Sequence, residues 1–376
     1  MNKKHEKKRI MRLLFWESTI KCNLTCAHCR RVEGDETVYA DMTTAQAKAL
    51  IDQLAALGRN QGFMPVMVFS GGEPLCREDI FELIEYAANH GLQIALASNG
   101  TLIDKAMAEK IKSSGVQRVS ISLDGATAEV HNKLRQLESS FEDAVKGIGN
   151  LKGAGVPFQI NVTITRHNAH QLNDVFKLAG QLGAVAVHLF MLVPVGCGEE
   201  FAEEDMLSAD EYEEMMKKIA GLEVTQDLQI KVTCGPHYER VVRQAGLRKK
   251  PHKADMPECP HGHGQGAHPG GKPVHSSKGC LAGMSVIFVG HQGDVFPCGY
   301  LPVNCGNVLQ TPLEDIWNNN QDLANMRDTH KLTGKCGICE YRKICGGCRA
   351  RAYSKSGDYM AEEPFCGYQP PKTRQI

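Results

Sequence analysis

From Arg12 to about Phe190, short apolar runs alternate with longer stretches in which apolar residues recur every three or four positions. Short aliphatic runs suit strands buried on both faces, and the longer period suits helices that cover them. Six runs read as strands: Leu13 to Thr19, Val66 to Phe69, Leu92 to Ala97, Arg118 to Leu123, Phe158 to Thr163 and Ala186 to Phe190. The first helix opens at Thr43 or Thr44, carries Ala47, Leu50, Ile51, Leu54 and Leu57 at helical spacing, and is expected to stop at Gly58. Others fall over roughly Glu78 to Asn89, Asp104 to Ser113, Phe141 to Lys152 and Gln171 to Gln181. Such alternation predicts repeated βα units and a parallel sheet. Six units are too few for a closed eight-stranded barrel but suffice for an open one, whose functional groups gather at the C-terminal edges of the strands.

The pattern changes after Ser208. A charged helix, Ala209 to Leu222, is expected to connect two parts. From Leu247 to Gly279 the chain shifts to Lys, His, Pro and Gly, including the run from His261 to Gly271. Such a segment buries little apolar area and is expected to be a mobile loop, its histidines candidates for a metal or an iron porphyrin. Beyond it, Ser285 to Val289 and Asp294 to Phe296 read as a hairpin turned at Gly290 to Gly293. The chain thus divides into a basic tail (1–11), an open barrel (12–230), a linker (231–279) and a cysteine-rich C-terminal domain (280–376).

Composition narrows the function. The 376 residues are 42% hydrophobic and 23% charged, so the chain can bury a full core. Lys+Arg and Asp+Glu are equal at 43 each, and nothing points to nucleic acid as a partner. No apolar stretch follows the basic start as in a signal peptide, and none is long enough to insert in a membrane. A cytoplasmic location is expected. Fifteen cysteines in such a chain argue for metal or clusters rather than disulfides.

Three of these thiols, Cys22, Cys26 and Cys29, lie within eight residues at the end of the first strand. Soft thiolates select iron-sulfur clusters, Zn or Cu(I), and three ligands on a four-iron cube leave one iron open. A Zn site closed by His28, or buried free thiols, are the alternatives at this point. Ser70-Gly71-Gly72-Glu73-Pro74 follows the second strand; its glycines permit close backbone approach, and Glu73 adds a carboxylate. Near the C-terminus come Cys280, Cys298, Cys336, Cys339, Cys345, Cys348 and Cys366, among them two CxxC pairs within 13 residues. That spacing signals metal, and by spacing alone a two-Zn ribbon competes.

Together the cysteine triplet and Gly-Gly-Glu-Pro resemble the signature of the radical S-adenosylmethionine (SAM) enzymes, and the C-terminal array resembles their SPASM extension. The resemblance implies an open (β/α)6 barrel with an auxiliary-cluster domain, and an oxidoreductase or decarboxylase. Its catalytic [4Fe-4S] cluster would sit on Cys22, Cys26 and Cys29, with SAM on the open iron. Gly71, Gly72, Glu73 and Pro74 would hold the SAM amino group. Ser98, Asn99, Ser122, Asp124, Arg135, Asn161 and Val193 would line the rest of the pocket, Arg135 at the carboxylate. One auxiliary [4Fe-4S] cluster would take Cys336, Cys339, Cys345 and Cys366, and a second Cys280, Cys298 and Cys348. Some members carry another cysteine about six residues before Cys280, where this chain has Val274. The fourth position is left to Cys259, Cys305, a loop histidine or an open iron.

Phe158 to Asn161, Phe190 to Gly196, Thr233 to Tyr238 and Cys298 to Asn307 further resemble the tetrapyrrole-modifying branch of this family. The expected reaction is oxidative decarboxylation of two propionates of iron-coproporphyrin III to vinyls, which gives heme b. Side-chain removal on the way to heme d1 or from didecarboxysiroheme, and modification of a peptide, are the alternatives. His237, Tyr238, Arg240 and the histidine loop are candidates for holding substrate carboxylates. An electron donor such as ferredoxin or flavodoxin is the expected protein partner.

Overall fold

The computed structural model describes residues 9–31, 40–225, 227–247 and 279–371. Among these, nine strands form one sheet: β1 (Leu13–Glu17), β2 (Val66–Ser70), β3 (Gln93–Ser98), β4 (Arg118–Ser122), β5 (Phe158–Ile164), β6 (Ala186–Met191), β7 (Gln229–Thr233), β8 (Val286–Val289) and β9 (Val295–Phe296). The order is β7-β6-β5-β4-β3-β2-β1-β8-β9. Only the last pair is antiparallel.

The six expected strands pair in sequence order, each crossover carrying one or two helices: α1 (Thr44–Gln61), α2 (Ile80–Asn89), α3 (Lys105–Ser113), α4 (Ala128–Arg135), α5 (Ser140–Ala154) and α6 (Leu172–Leu182). Beyond β6 come α7 (Gly198–Asp205), α8 (Ala209–Thr225) and α9 (Tyr238–Gln244). The C-terminal part adds α10 (Leu313–Asn319), α11 (Gln321–Arg327), α12 (Gly334–Ile338) and α13 (Arg349–Ser356). Ile121, Ile160, Val162, Val187 and Leu189 are buried under the helices.

Several features differ from the sequence reading. Helix α1 runs through Gly58 to Gln61 and ends at Gly62, whose φ of 73° closes the cap. Gly58 serves packing instead: a Cβ there would lie 2.7 Å from Met64 Sδ and 2.9 Å from Pro65 Cδ. The start of α1 follows its local code, with a capping box between Thr43 and Gln46.

The sheet also does not stop at the expected six strands. β7 extends one edge from within the stretch read as linker, and β8 pairs in parallel with β1, Leu13 opposite Val286 and Trp16 opposite Val289. The hairpin assigned to the C-terminal domain therefore continues the barrel sheet. At the other end of the chain, Met11 is buried and bonds Gln61 from its amide (2.9 Å), so it belongs to the core rather than the tail. The histidine run and Cys259 lie outside the described residues.

Candidate active site

The loop after β1 is fixed at its entry. Thr19 Oγ1 donates to Asp41 (2.6 Å), as does the Ile20 amide (3.0 Å), while the Arg77 guanidinium donates to the Ser18 carbonyl (2.7 Å). Gly71 and Gly72 lie against this loop. Gly72 N donates to Thr19 O (2.9 Å) and Glu73 N to Lys21 O (2.8 Å), and a Cβ on Gly72 would run into the Ile20 and Lys21 carbonyls. The glycine pair is thus what lets the β2 turn pair with the cysteine loop. On the far side, the Gly198 amide donates to Cys29 O (3.1 Å) and the Cys197 amide to Arg31 O (3.0 Å). Strand ends of β2 and β6 grip the loop from both sides.

Cys22, Cys26 and Cys29 are partly exposed and close enough that ionising one thiol disfavours ionising its neighbour. Burial pushes the Cys22 thiol up to about 11. Bound iron removes that barrier by taking the thiolate as ligand. Arg135, on α4, stands 3.6 Å from Cys26 Sγ and pairs with Asp124 at 2.6 Å. Asp124 is buried; Arg135 and His28 outweigh its desolvation and hold its carboxyl low. It also accepts from the Thr163 amide (2.7 Å) and lies 3.3 Å from His28 Nε2. Burial pushes His28 down to about 4, a neutral ring. Asp124 thus spends its carboxylate on aiming Arg135 at the cysteine loop.

Glu73 is wholly buried, and burial pushes its carboxyl up to about 7 against the amides of Asn99 (2.8 Å) and Leu75 (3.2 Å). Ser98 Oγ accepts from the Gly100 amide (3.0 Å), and Asn99 Nδ2 donates to Asn23 Oδ1 (2.8 Å), which ties β3 to the cysteine loop. Ser122, Asn161 and His188 sit opposite one another on β4, β5 and β6, and His188 faces Lys231 on β7. Residues so paired share one face of a sheet, here the polar face away from the helices. Val193 is placed differently: its side chain packs with Leu301, Met326 and Cys348.

A second group of thiols lies beyond β9. Cys336, Cys339, Cys345 and Cys366 line one pocket together with Arg240 and Glu363. Cys280, Cys298 and Cys348 form a separate group, Cys348 buried and the other two partly exposed, and their charges act on one another. Among the described residues no three His, Cys, Asp or Glu side chains converge on a point as a single ion requires. Four thiols on one pocket match the number of cysteines that a [4Fe-4S] cube takes. Behind Cys348, Arg351 and Glu363 form a buried bidentate pair (2.9 and 3.0 Å), and Glu363 accepts from the Cys348 amide (2.6 Å).

The structure removes the expected carboxylate holders near α9. His237 is fully buried, Tyr238 donates to Glu223 (2.6 Å), and Arg240 is buried against Glu213 (2.9 Å). Sequence reading also gave no role to Arg30, which pairs with Glu17 (2.7 Å) and stacks on Phe288 at 4.4 Å. Glu17 in turn meets His291 at 3.0 Å. Burial alone would raise the Glu17 carboxyl, but Arg30 and His291 hold it at about 2.

A strand-end cluster loop gripped by a Gly-Gly-Glu-Pro turn, on an open parallel sheet with two further thiol groups, defines a class. Residues 16–179 match the radical SAM superfamily, and residues 280–349 match the SPASM iron-sulfur cluster-binding domain. The chain is 43% identical over 361 residues to a protein of Methanosarcina barkeri named AdoMet-dependent heme synthase, covering 96% of this chain and 97% of that one. It is 43% identical over 359 residues to a protein of the same name from Nitratidesulfovibrio vulgaris, covering 96% and 93%. The fold is similar to that of Streptococcus suis SuiB bound to SAM, with a TM-score of 0.69 at 16% identity over 96% of this chain and 78% of that one. The chain therefore belongs to the radical SAM superfamily. It is an enzyme of the SPASM-containing kind that works with [4Fe-4S] clusters and SAM.

Proposed function

We propose that this protein converts iron-coproporphyrin III to heme b by oxidative decarboxylation of two propionates to vinyls. The observation that carries the reading is the near full-length likeness to proteins named heme synthase, which takes in the polar face of the sheet as well as the cluster motifs. Cys22, Cys26 and Cys29 would hold the catalytic cluster, Gly71 to Pro74 the SAM amino group, and Arg135 the SAM carboxylate by a forked contact. Ser98, Asn99, Ser122 and Asn161 line the same edge, while Asp124 positions Arg135 from beneath. Cys336, Cys339, Cys345 and Cys366 would hold one auxiliary cluster and Cys280, Cys298 and Cys348 another. Bound there, SAM and its reduced cluster supply a 5′-deoxyadenosyl radical that removes hydrogen from an unactivated carbon.

The protein's own task is to hold an acidic macrocycle at that edge. Each reacting propionate must lose a hydrogen atom, CO2 and one electron, while two others persist and need partners. The charges of Lys231 and Arg118 act on His188, and desolvation alone lowers Lys231, an exposed residue of β7 on which no carboxylate charge acts. These cations, on the face that also carries Ser122 and Asn161, are our choice for the persisting carboxylates in place of the α9 residues. Auxiliary clusters held by the C-terminal cysteines would offer the remaining electron an acceptor, and a ferredoxin or flavodoxin of the cytoplasm would supply the reductant. No helix among the described residues is long and apolar enough to cross a membrane.

The test is an anaerobic assay of reconstituted protein with dithionite, SAM and iron-coproporphyrin III. A monovinyl species followed by heme b, with 5′-deoxyadenosine formed alongside, is expected. 5′-Deoxyadenosine without porphyrin conversion would reject the substrate while leaving the radical chemistry in place.

A further inference from the structure

Cys280, Cys298 and Cys348 supply three thiolates, one short of the number that closes a [4Fe-4S] cube. We infer that Cys234, in the turn after β7, is the fourth ligand of this cluster and closes it against substrate. The inference rests on the assignment of Cys280, Cys298 and Cys348 to one cluster made above.

Three independent observations place Cys234 there. Its side chain packs, as that of Cys298 does, against the buried cluster that contains Cys348. The backbone agrees. The turn Cys234-Gly235-Pro236 lies directly on the Cys280 segment, so that a Cβ on Gly279 would stand 2.5 Å from Pro236 O and 2.6 Å from Pro236 Cβ.

The third observation is conformational. Cys234 has φ 57°, a left-handed value that among described non-glycine residues only Gln136 shares. Gln136 caps helix α4, where such a φ is routine, whereas Cys234 caps none. A residue with a Cβ is disfavoured there, and glycine would relieve the strain.

The other unassigned cysteines among the described residues are engaged elsewhere. Cys305, one of the expected candidates, neighbours Asp322 and Arg327 and directs its thiol to the Val303 carbonyl at 3.6 Å. Cys197 donates to Arg31 O at 2.9 Å, beside the catalytic loop. Cys76 ends the short turn that follows Glu73.

The experiment uses full-length protein carrying Cys22→Ala, Cys26→Ala and Cys29→Ala, so that only auxiliary clusters report. Iron and sulfide content and EPR spectra are recorded after anaerobic reconstitution, with and without added imidazole. Adding Cys234→Ala is expected to cost about one iron per protein on mild oxidation, with a three-iron EPR signal, and to make the reduced spectrum respond to imidazole. Cys305→Ala is expected to change neither. Full iron retention and an imidazole-insensitive spectrum in Cys234→Ala would reduce Cys234 to a packing residue and overturn the proposal. Should Cys234→Ala not fold, Cys234→Ser gives the same decision: a ligating serine alters the reduced spectrum, and an unaltered spectrum refutes ligation. Cys298→Ala checks the underlying assignment, because a spectrum unchanged in that variant removes the cluster itself and the proposal with it.

Discussion

Glu73 shows how a single buried group sets a working range. Burial raises its carboxyl from 4.5 to about 7. The folded chain therefore holds a proton that the unfolded chain releases, so its contribution to stability is fully present below 4.5 and is lost as pH rises through about 7. Only the ionised form attracts an ammonium group. SAM affinity, measured by anaerobic calorimetry, is expected to rise about fivefold between about pH 6 and about pH 7, to gain about twofold more by about pH 8, and then to level off. Glu73→Gln should flatten that dependence and weaken binding about tenfold at about pH 8, the worth of one charge-assisted hydrogen bond. Lys231→Met makes a different prediction from the same edge of the sheet. The KM for iron-coproporphyrin III should increase about tenfold as one charged contact is lost, with 5′-deoxyadenosine yield per turnover rising and SAM affinity unchanged.

At the level of elements, buried ion pairs join parts of the chain that no helix or strand period connects. Arg351 and Glu363 fasten α13 to the last cysteine segment with side chains 0% and 1% exposed. Glu363→Ala leaves a buried guanidinium unpaired and is expected to cost about 3–5 kcal/mol in denaturant unfolding, and iron bound at Cys348 with it. Glu17, Arg30 and His291 link β1, the catalytic loop and the β8–β9 turn. Because the Glu17 carboxyl is lowered from 4.5 to about 2, its stabilisation is present above 4.5 and is lost as pH falls through about 2. Glu17→Gln should therefore destabilise the protein on the order of 3 kcal/mol near neutrality and by progressively less in acid. These links were the illegible part of the sequence. The six strands and the glycine turn follow from period and punctuation, which are local. Glu17 and His291 are 274 residues apart, and Arg30 carries no pattern that marks a partner at either end. Helix α4, short and polar, escaped notice for a related reason: Val130, His131 and Leu134 are its buried residues, too few to set a period. Gly58 misled because a glycine fitted for close packing reads like one fitted for a cap.

Across the whole molecule, the sheet disregards the division between barrel and cysteine-rich part. β1 is covered on one side by β2 and on the other by β8, contributed from nearly 270 residues later. A chain cut after residue 247 would bare the β1 edge, a row of unpaired amides and carbonyls flanked by Leu14 and Trp16. Such a fragment is expected to aggregate, visible as light scattering at micromolar concentration, whereas the full chain stays monodisperse. The shared sheet has a consequence for electron flow. Tunnelling rates fall exponentially with distance, so a carrier pair on separately moving bodies would conduct intermittently. Here the catalytic cysteines leave β1, Cys298 leaves β9 two residues past its end, and the ladder between β1 and β8 sets their spacing as bolts set the gap of an electrode pair. Tyr300 feels the charges of both Cys29 and Cys298, and Arg30 acts on it in the opposite direction. With clusters bound at both sites as proposed, the β1–β8 ladder would fix the gap between donor and acceptor.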